Sequence, residues 1–201
     1  GVVEPDAGTV EIVGHRLPKG RSAAMAHVGF AAGYLPLPER LRVQEYLRMF
    51  GELYGLAHPD GQAAKGLRRF GIGHLATAMG TELSSGQKTL IGVVKATMHE
   101  PELLVLDEPT ASLDPDVALR VRTGLARLCQ EQGTALLVTS HNMVEVERIA
   151  GRVVFLSDGR VVADGPPAEV AARFDSGDLE GVFLRLAGER QAAEHVEGVR
   201  P

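Results

Sequence analysis

The sequence predicts an α/β protein with a parallel sheet at its centre and a helical block inserted beside it. Three observations carry that reading. Residues 103–106 (LLVL) and 134–139 (TALLVT) are short, continuous apolar runs, the pattern of parallel strands covered on both faces. Helical spacing alternates with them, giving strand–helix–strand–helix from 103 to 150. Residues 41–99 are patterned mainly as helices and turns, which makes them an insertion beside the sheet.

Each element follows from local pattern. Residues 8–14 (GTVEIVG) alternate between two turns and read as a strand, and 26–30 read as a second. Pro36 and Pro38 break the chain. Over 41–56, Val43, Leu47, Phe50 and Tyr54 recur at helical spacing, and a second helix covers 60–70 with Arg68 and Arg69 near its end. Ser84 or Ser85 can cap a helix over 86–99, closed by Pro101. Asp114 caps the next helix, with Pro115 in its first turn. Val117, Val121, Leu125 and Leu128 form its inner face, and Gly133 ends it. A short helix covers 143–150. Residues 152–163 read as two strands about the Asp158-Gly159 turn. Helices follow over 167–174 and 178–189, then a loose tail over 191–201.

Bulk composition narrows the function. A length of 201 residues suits one domain, or one with a small appendage, and 44% hydrophobic residues suffice for a core. The net charge of -5 argues against nucleic acid as a partner. The single cysteine, Cys129, allows no internal disulfide and fits a reducing compartment. No apolar run approaches the roughly 18 residues that span a bilayer, and no signal peptide is visible.

The candidate chemistry lies at strand ends and in one loop. Polar groups at the C-terminal ends of parallel strands face the crevice where α/β proteins bind ligands. One predicted strand ends in Asp107-Glu108 and another leads into His141. Asp107 can hold Mg²⁺, an ion that combines one or two carboxylates with phosphate oxygens. Glu108 can accept a proton from a water attacking phosphorus. His141 can donate to a terminal phosphate. Ser84-Ser85-Gly86-Gln87 opens onto a helix and suits an anion. Each feature alone has a plainer reading: a solvated turn, a structural histidine, a helix cap. Their joint occurrence, ELSSGQ, LLVLDEPT, SLDP and TSH in that order, points to function. His58, His74 and His99 fall at element ends without a metal-binding spacing.

These motifs resemble those of the nucleotide-binding domain of ABC transporters. Leu83-Ser84-Ser85-Gly86-Gln87 is similar to the signature motif, with Ser85 where the family usually has glycine. Leu103 to Glu108 resembles Walker B followed by the catalytic glutamate, Ser112-Leu113-Asp114 the D-loop, and His141 the switch histidine. The C-terminal VVFLSDGRVVADG and DLEGVFLRLAG resemble bacterial drug-resistance and ABC-2-type exporter ATPases. The resemblance implies a P-loop NTPase-like ABC ATPase domain over residues 1–190. Its helical insertion would cover about 41–99, and its C-terminal strands and helices 151–190. It implies ATP and Mg²⁺ as cofactors, with Asp107 holding the metal and Glu108 and His141 acting in catalysis. It also implies head-to-tail pairing with a second ABC ATPase domain. Ser84, Ser85, Gly86, Gln87 and Asp114 would then serve ATP held by the partner. An integral membrane permease completes the implied assembly, at the cytoplasmic face of a bacterial plasma membrane.

The sequence departs from the family in two places. No lysine fits G-x-x-x-x-G-K-[ST]. Lys19 and Lys65 precede Gly, Lys95 precedes Ala, and Lys88 lacks the glycines before it. The first residue is Gly1, and residues 1–14 resemble the stretch just after the P-loop helix, so an N-terminally truncated domain is expected. Such a chain would be inactive alone and leave the faces of 103–106 and 134–139 partly uncovered. Second, ungapped alignment places Gly33 at the Q-loop glutamine position, which removes a side-chain ligand. Two other readings stay open: a soluble ABC-type ATPase, and a non-hydrolytic regulatory or degenerate fragment.

Overall fold

The computed structural model describes residues 3–33, 37–111 and 113–197. Pro36 and Ser112, both used above, lie outside the described residues, as do 198–201. The chain divides into two compact units, Gly1–Thr139 and Ser140–Pro201.

The first unit opens on a ribbon of two short antiparallel strands, β1 (Glu11–Ile12) and β2 (His15–Arg16). The single strand expected over 8–14 is therefore cut short. Val13 at φ 49 and Gly14 at φ 75 reverse the chain, the two positive dihedrals that a tight hairpin turn requires. Helix α1 (Arg21–Ala26) follows, too short to show a period in the sequence. Strand β3 (Val28–Ala32) starts two residues later than expected.

The insertion contains α2 (Val43–Leu53), α3 (Pro59–Arg69) and α4 (Ser85–Thr97), joined through 3₁₀ turns at Gly73–Leu75 and Gly80–Glu82. Helix α2 starts where the Glu45 carboxylate accepts the Arg42 backbone N–H at 2.8 Å, satisfying a donor near the helix end. Helix α3 carries Pro59 in its first turn and Arg68 and Arg69 in its last, the arrangement that the helix dipole favours. Val43 and Leu47 of α2, Leu67 of α3, and Leu90, Ile91 and Val94 of α4 are buried in one shared core.

Strand β4 (Leu103–Asp107), helix α5 (Pro115–Gln132) and strand β5 (Ala135–Thr139) complete this unit. The sheet order is β3-β4-β5, all parallel, and Ala32, Asp107 and Thr139 stand in one row at its C-terminal end. Leu104 and Leu106 of the central strand are buried. Each such leucine contributes roughly 1.5–3 kcal/mol of transfer free energy. The apolar pattern of 134–139 reads as a strand buried on both faces, whereas the departure from the family pattern leaves one face partly uncovered; β5 is an outer strand among the described residues and Leu137 is 58% exposed, which fits the second expectation. Periodicity reports a strand's composition; its cover depends on what packs beside it. The inner face of α5 matches expectation, with Val121, Leu125 and Leu128 buried and Gly133 at φ 68 closing the helix.

The second unit holds α6 (Met143–Ile149), β6 (Val153–Ser157), β7 (Arg160–Gly165), α7 (Pro167–Arg173) and α8 (Leu179–Glu197). Strands β6 and β7 form a hairpin about Asp158 (φ 49) and Gly159 (φ 72), as the sequence predicts. Its core joins Val153, Ala163, Val170, Leu179 and Val182. Helix α8 runs to Glu197, into the stretch read as a loose tail from residue 191.

Candidate functional site

The Ser84–Gln87 loop is set by a reciprocal cap. Ser84 adopts extended geometry before α4, and its hydroxyl accepts the Gln87 backbone N–H at 3.2 Å. The Gln87 side-chain oxygen in turn accepts the Ser84 backbone N–H at 2.9 Å. This is the capping-box geometry of a Ser-x-x-Gln spacing. It identifies Ser84, not Ser85, as the cap. Ser85 is thereby left on the first turn with its side chain exposed. Gly86 sits where a Cβ would lie 2.9 Å from the Leu113 side chain, so the loop between β4 and α5 can approach closely.

Beside it lies a cavity of about 400 Å³. The four loop residues form one wall, and Asp114 and Arg120 stand on the other. Asp114 occupies the cap position of α5 with φ -61 and ψ 148, but its side chain makes no cap hydrogen bond. Asp114 therefore holds the N-cap position through its extended backbone alone, without the side-chain bond expected of a cap, and it lines the cavity.

Asp107 and Glu108 form a separate cluster at the sheet's C-terminal end. The Thr139 hydroxyl donates to the Asp107 carboxylate at 2.5 Å, which orients that side chain from the neighbouring strand. The Glu108 backbone N–H donates to both the carbonyl and the hydroxyl of Thr139, each at 3.2 Å. Glu108 has φ 49, a left-handed conformation that costs a non-glycine residue energy and concentrates at functional positions. The Gly33 backbone N–H donates to the Asp107 carbonyl at 3.3 Å, so Gly33 lies beside this cluster.

His141 opens the second unit and is exposed. It precedes Asn142, whose side chain caps α6 by accepting the Glu145 N–H at 3.1 Å. Within the first unit, the structure thus gathers Ser84, Ser85, Gly86, Gln87 and Asp114 around one cavity, and Gly33, Asp107 and Glu108 around one row of strand ends. Asp107 and Glu108 do not line the cavity. Sequence reasoning missed Thr139, which contacts Asp107 only through the parallel register. It also missed Arg120 and His74 in the cavity wall. The Asp116–Arg120 spacing of four on one helix was the available signal.

A family model described as "ABC transporter" matches residues 1–111, more than half of the chain. The chain belongs to the ABC transporter family. Among ABC relatives, the Nod factor export ATP-binding protein I of Paraburkholderia xenovorans (strain LB400) is 32% identical over 189 residues. That match covers 91% of this chain and 60% of the relative. The linearmycin resistance ATP-binding protein LnrL of Bacillus subtilis (strain 168) is 31% identical, covering 96% of this chain and 61% of its own. The chain thus spans about 60% of the length of these curated relatives. A solved ATP-binding subunit of an ABC transporter superposes with a TM-score of 0.82 at 25% identity, covering 93% of this chain and 79% of that one. The fold is that of an ABC ATPase domain, with its parallel sheet and helices.

Proposed function

We propose that this chain belongs to the ATP-hydrolysing subunit of an ABC exporter, coupling hydrolysis in a head-to-tail pair of ATPase domains to a membrane permease. The observation that carries this reading is the Ser84–Gln87 loop lining a cavity from which Asp107 and Glu108 are absent. A loop that served its own chain's hydrolytic residues would share a cavity with them. The loop's hydroxyls, backbone N–H groups and helix N-terminus suit a phosphate presented by a second domain. Two of the relatives compared above are named for export or drug resistance, which favours the exporter branch. The assembly would sit on the cytoplasmic face of a bacterial plasma membrane, held there by the permease. No helix among the described residues is long and apolar enough to cross a membrane.

In this reading Asp107 holds Mg²⁺, Glu108 accepts the proton of the attacking water, and His141 stabilises charge on the terminal phosphate. The donor set at Asp107 fits that ion. A carboxylate offers about four lone-pair sites, so the bond from Thr139 leaves acceptor capacity. Among the described residues no cluster of three acidic, His or Cys side chains is poised for a metal. The ion would therefore lean on phosphate oxygens, as Mg²⁺ commonly does. The metal supplies charge neutralisation; Asp107 fixes where it acts. The absence of a P-loop lysine from the 201 residues favours a second reading for these residues alone, a non-hydrolytic ABC segment.

Ser85→Arg tests the loop. Its bulk intrudes on the cavity that Ser85 lines, so hydrolysis by the assembled transporter should collapse while ATP binding by the isolated subunit stays within a few-fold of wild type. Equal loss of binding and turnover would show that the loop acts within its own chain.

A further inference from the structure

We propose that Arg120 is a phosphate-contacting residue of the signature cavity, the side chain that makes this pocket attractive to an anion. The inference rests on the reading of the Ser84–Gln87 loop given above and extends it to a residue outside every motif.

The placement of Arg120 is built. Helix α5 packs on the corner that follows α3, and a Cβ at Gly124 would overlap the Phe70 ring. Only a glycine lets the ring sit that close. Arg120 lies one turn before Gly124 on the same stripe, and its Cδ rests 3.5 Å from where a Cβ of Gly71 would be. The corner therefore directs the stem, and Asp116 orients the head, with Arg120 Nη2 donating to its carboxylate at 2.6 Å. One such bond uses one of the five guanidinium N–H groups and leaves a planar fork of donors.

Charge explains why the cavity needs it. Asp114 lines the same cavity and Asp116 grips Arg120, so two carboxylates stand at the start of α5. Without a fixed cation, their field would oppose the phosphate that the α4 N-terminus attracts. Arg120 is the one Lys or Arg among the described residues lining this cavity; His74, on the 3₁₀ turn after α3, adds a second basic group at its wall. A guanidinium can hold two phosphate oxygens at once, which loop N–H groups alone do not.

The test uses the 201-residue chain and inorganic tripolyphosphate at constant ionic strength, followed by ¹H–¹⁵N NMR. In wild type, the backbone resonances of Ser85, Gly86 and Gln87 and the Nε–H resonance of Arg120 should shift together with one Kd. R120Q should weaken binding about tenfold, the order of a lost charge-assisted hydrogen bond. R120K, which keeps the charge without the fork, should fall between. Phe70 and Gly124 resonances should stay fixed in both variants, marking an intact corner. Shifts at Ser85–Gln87 with a silent Arg120 Nε–H, or with unchanged affinity in R120Q, would overturn the role of Arg120 and leave the loop reading standing. No shift at Ser85–Gln87 in wild type would overturn both.

Discussion

The backbone N–H of Gly33 donates to the carbonyl of Asp107 at 3.3 Å, joining the end of β3 to the end of β4. This contact puts a residue without a side chain beside the backbone of Asp107 and Glu108. A Cβ at Gly33 would meet the Glu108 carbonyl oxygen at 3.6 Å and the Thr89 hydroxyl at 3.9 Å, both ordinary contacts. Gly33→Gln should therefore fold, and should stabilise by about 0.5 kcal/mol through reduced freedom of the unfolded chain. Urea unfolding of the chain checks that sign. In the assembled transporter the carboxamide should tighten Mg²⁺ dependence, read as a lower metal concentration for half-maximal turnover.

Glu108 gives a prediction in two directions. Glu108→Gln in the assembled transporter should keep ATP binding and lose turnover by about 10²–10⁴-fold, the usual worth of a general base. Glu108→Gly should remove the same base, yet raise folding stability by about 1 kcal/mol, because φ 49 no longer strains a side chain. Parallel activity and unfolding measurements separate the two effects. A glycine variant no more stable than wild type would mean that the lost side-chain contacts and the added chain freedom offset the relief of strain.

His99 makes stability depend on pH. Its ring stacks on Tyr54 at 4.1 Å, its Nε2 lies 3.2 Å from the Val28 carbonyl oxygen, and its Nδ1 is buried without a partner. Burial lowers its pKa, and the Val28 contact only partly offsets that. Lys95, held over the Phe50 ring at 5.1 Å, and the Lys65–Glu100 pair carry the nearby charges. The folded pKa lies below the unfolded value, so below about 6.5 the unfolded chain takes up a proton more readily than the folded one. The neutral-form stability is complete above that pH and is lost as pH falls toward the folded pKa. Urea unfolding followed by tyrosine fluorescence should show lower stability at pH 5.5 than at 7.5. The slope from this group cannot exceed about 1.4 kcal/mol per pH unit. His99→Phe should flatten the difference; an unchanged pH dependence would assign it to other groups.

Local rules made much of the fold legible. Ser84-x-x-Gln87 declares a helix start, Pro115 and Gly133 bracket α5, and Asp158-Gly159 marks its hairpin. What escaped depends on contacts between distant segments. The Thr139–Asp107 bond exists only because β4 and β5 run in one register. The cavity needs the signature-like loop, the start of α5 and the turn after α3 to meet, which no local pattern shows. Asp114 looks like a cap because its type and position fit one, yet in the fold its side chain makes no cap bond. Helix α1 has six residues, fewer than two turns, so no period could reveal it.

The outer strand β5 also sets how the chain behaves in a crowded solution. Its sequence, ALLVT, carries neither charge nor proline, the devices that usually blunt a strand's free side. Leu137 adds an exposed apolar side chain at its centre. Such an edge offers backbone donors and acceptors to any extended polypeptide that meets it, another copy of the same chain included. Aggregates that form through this edge should be rich in β-structure.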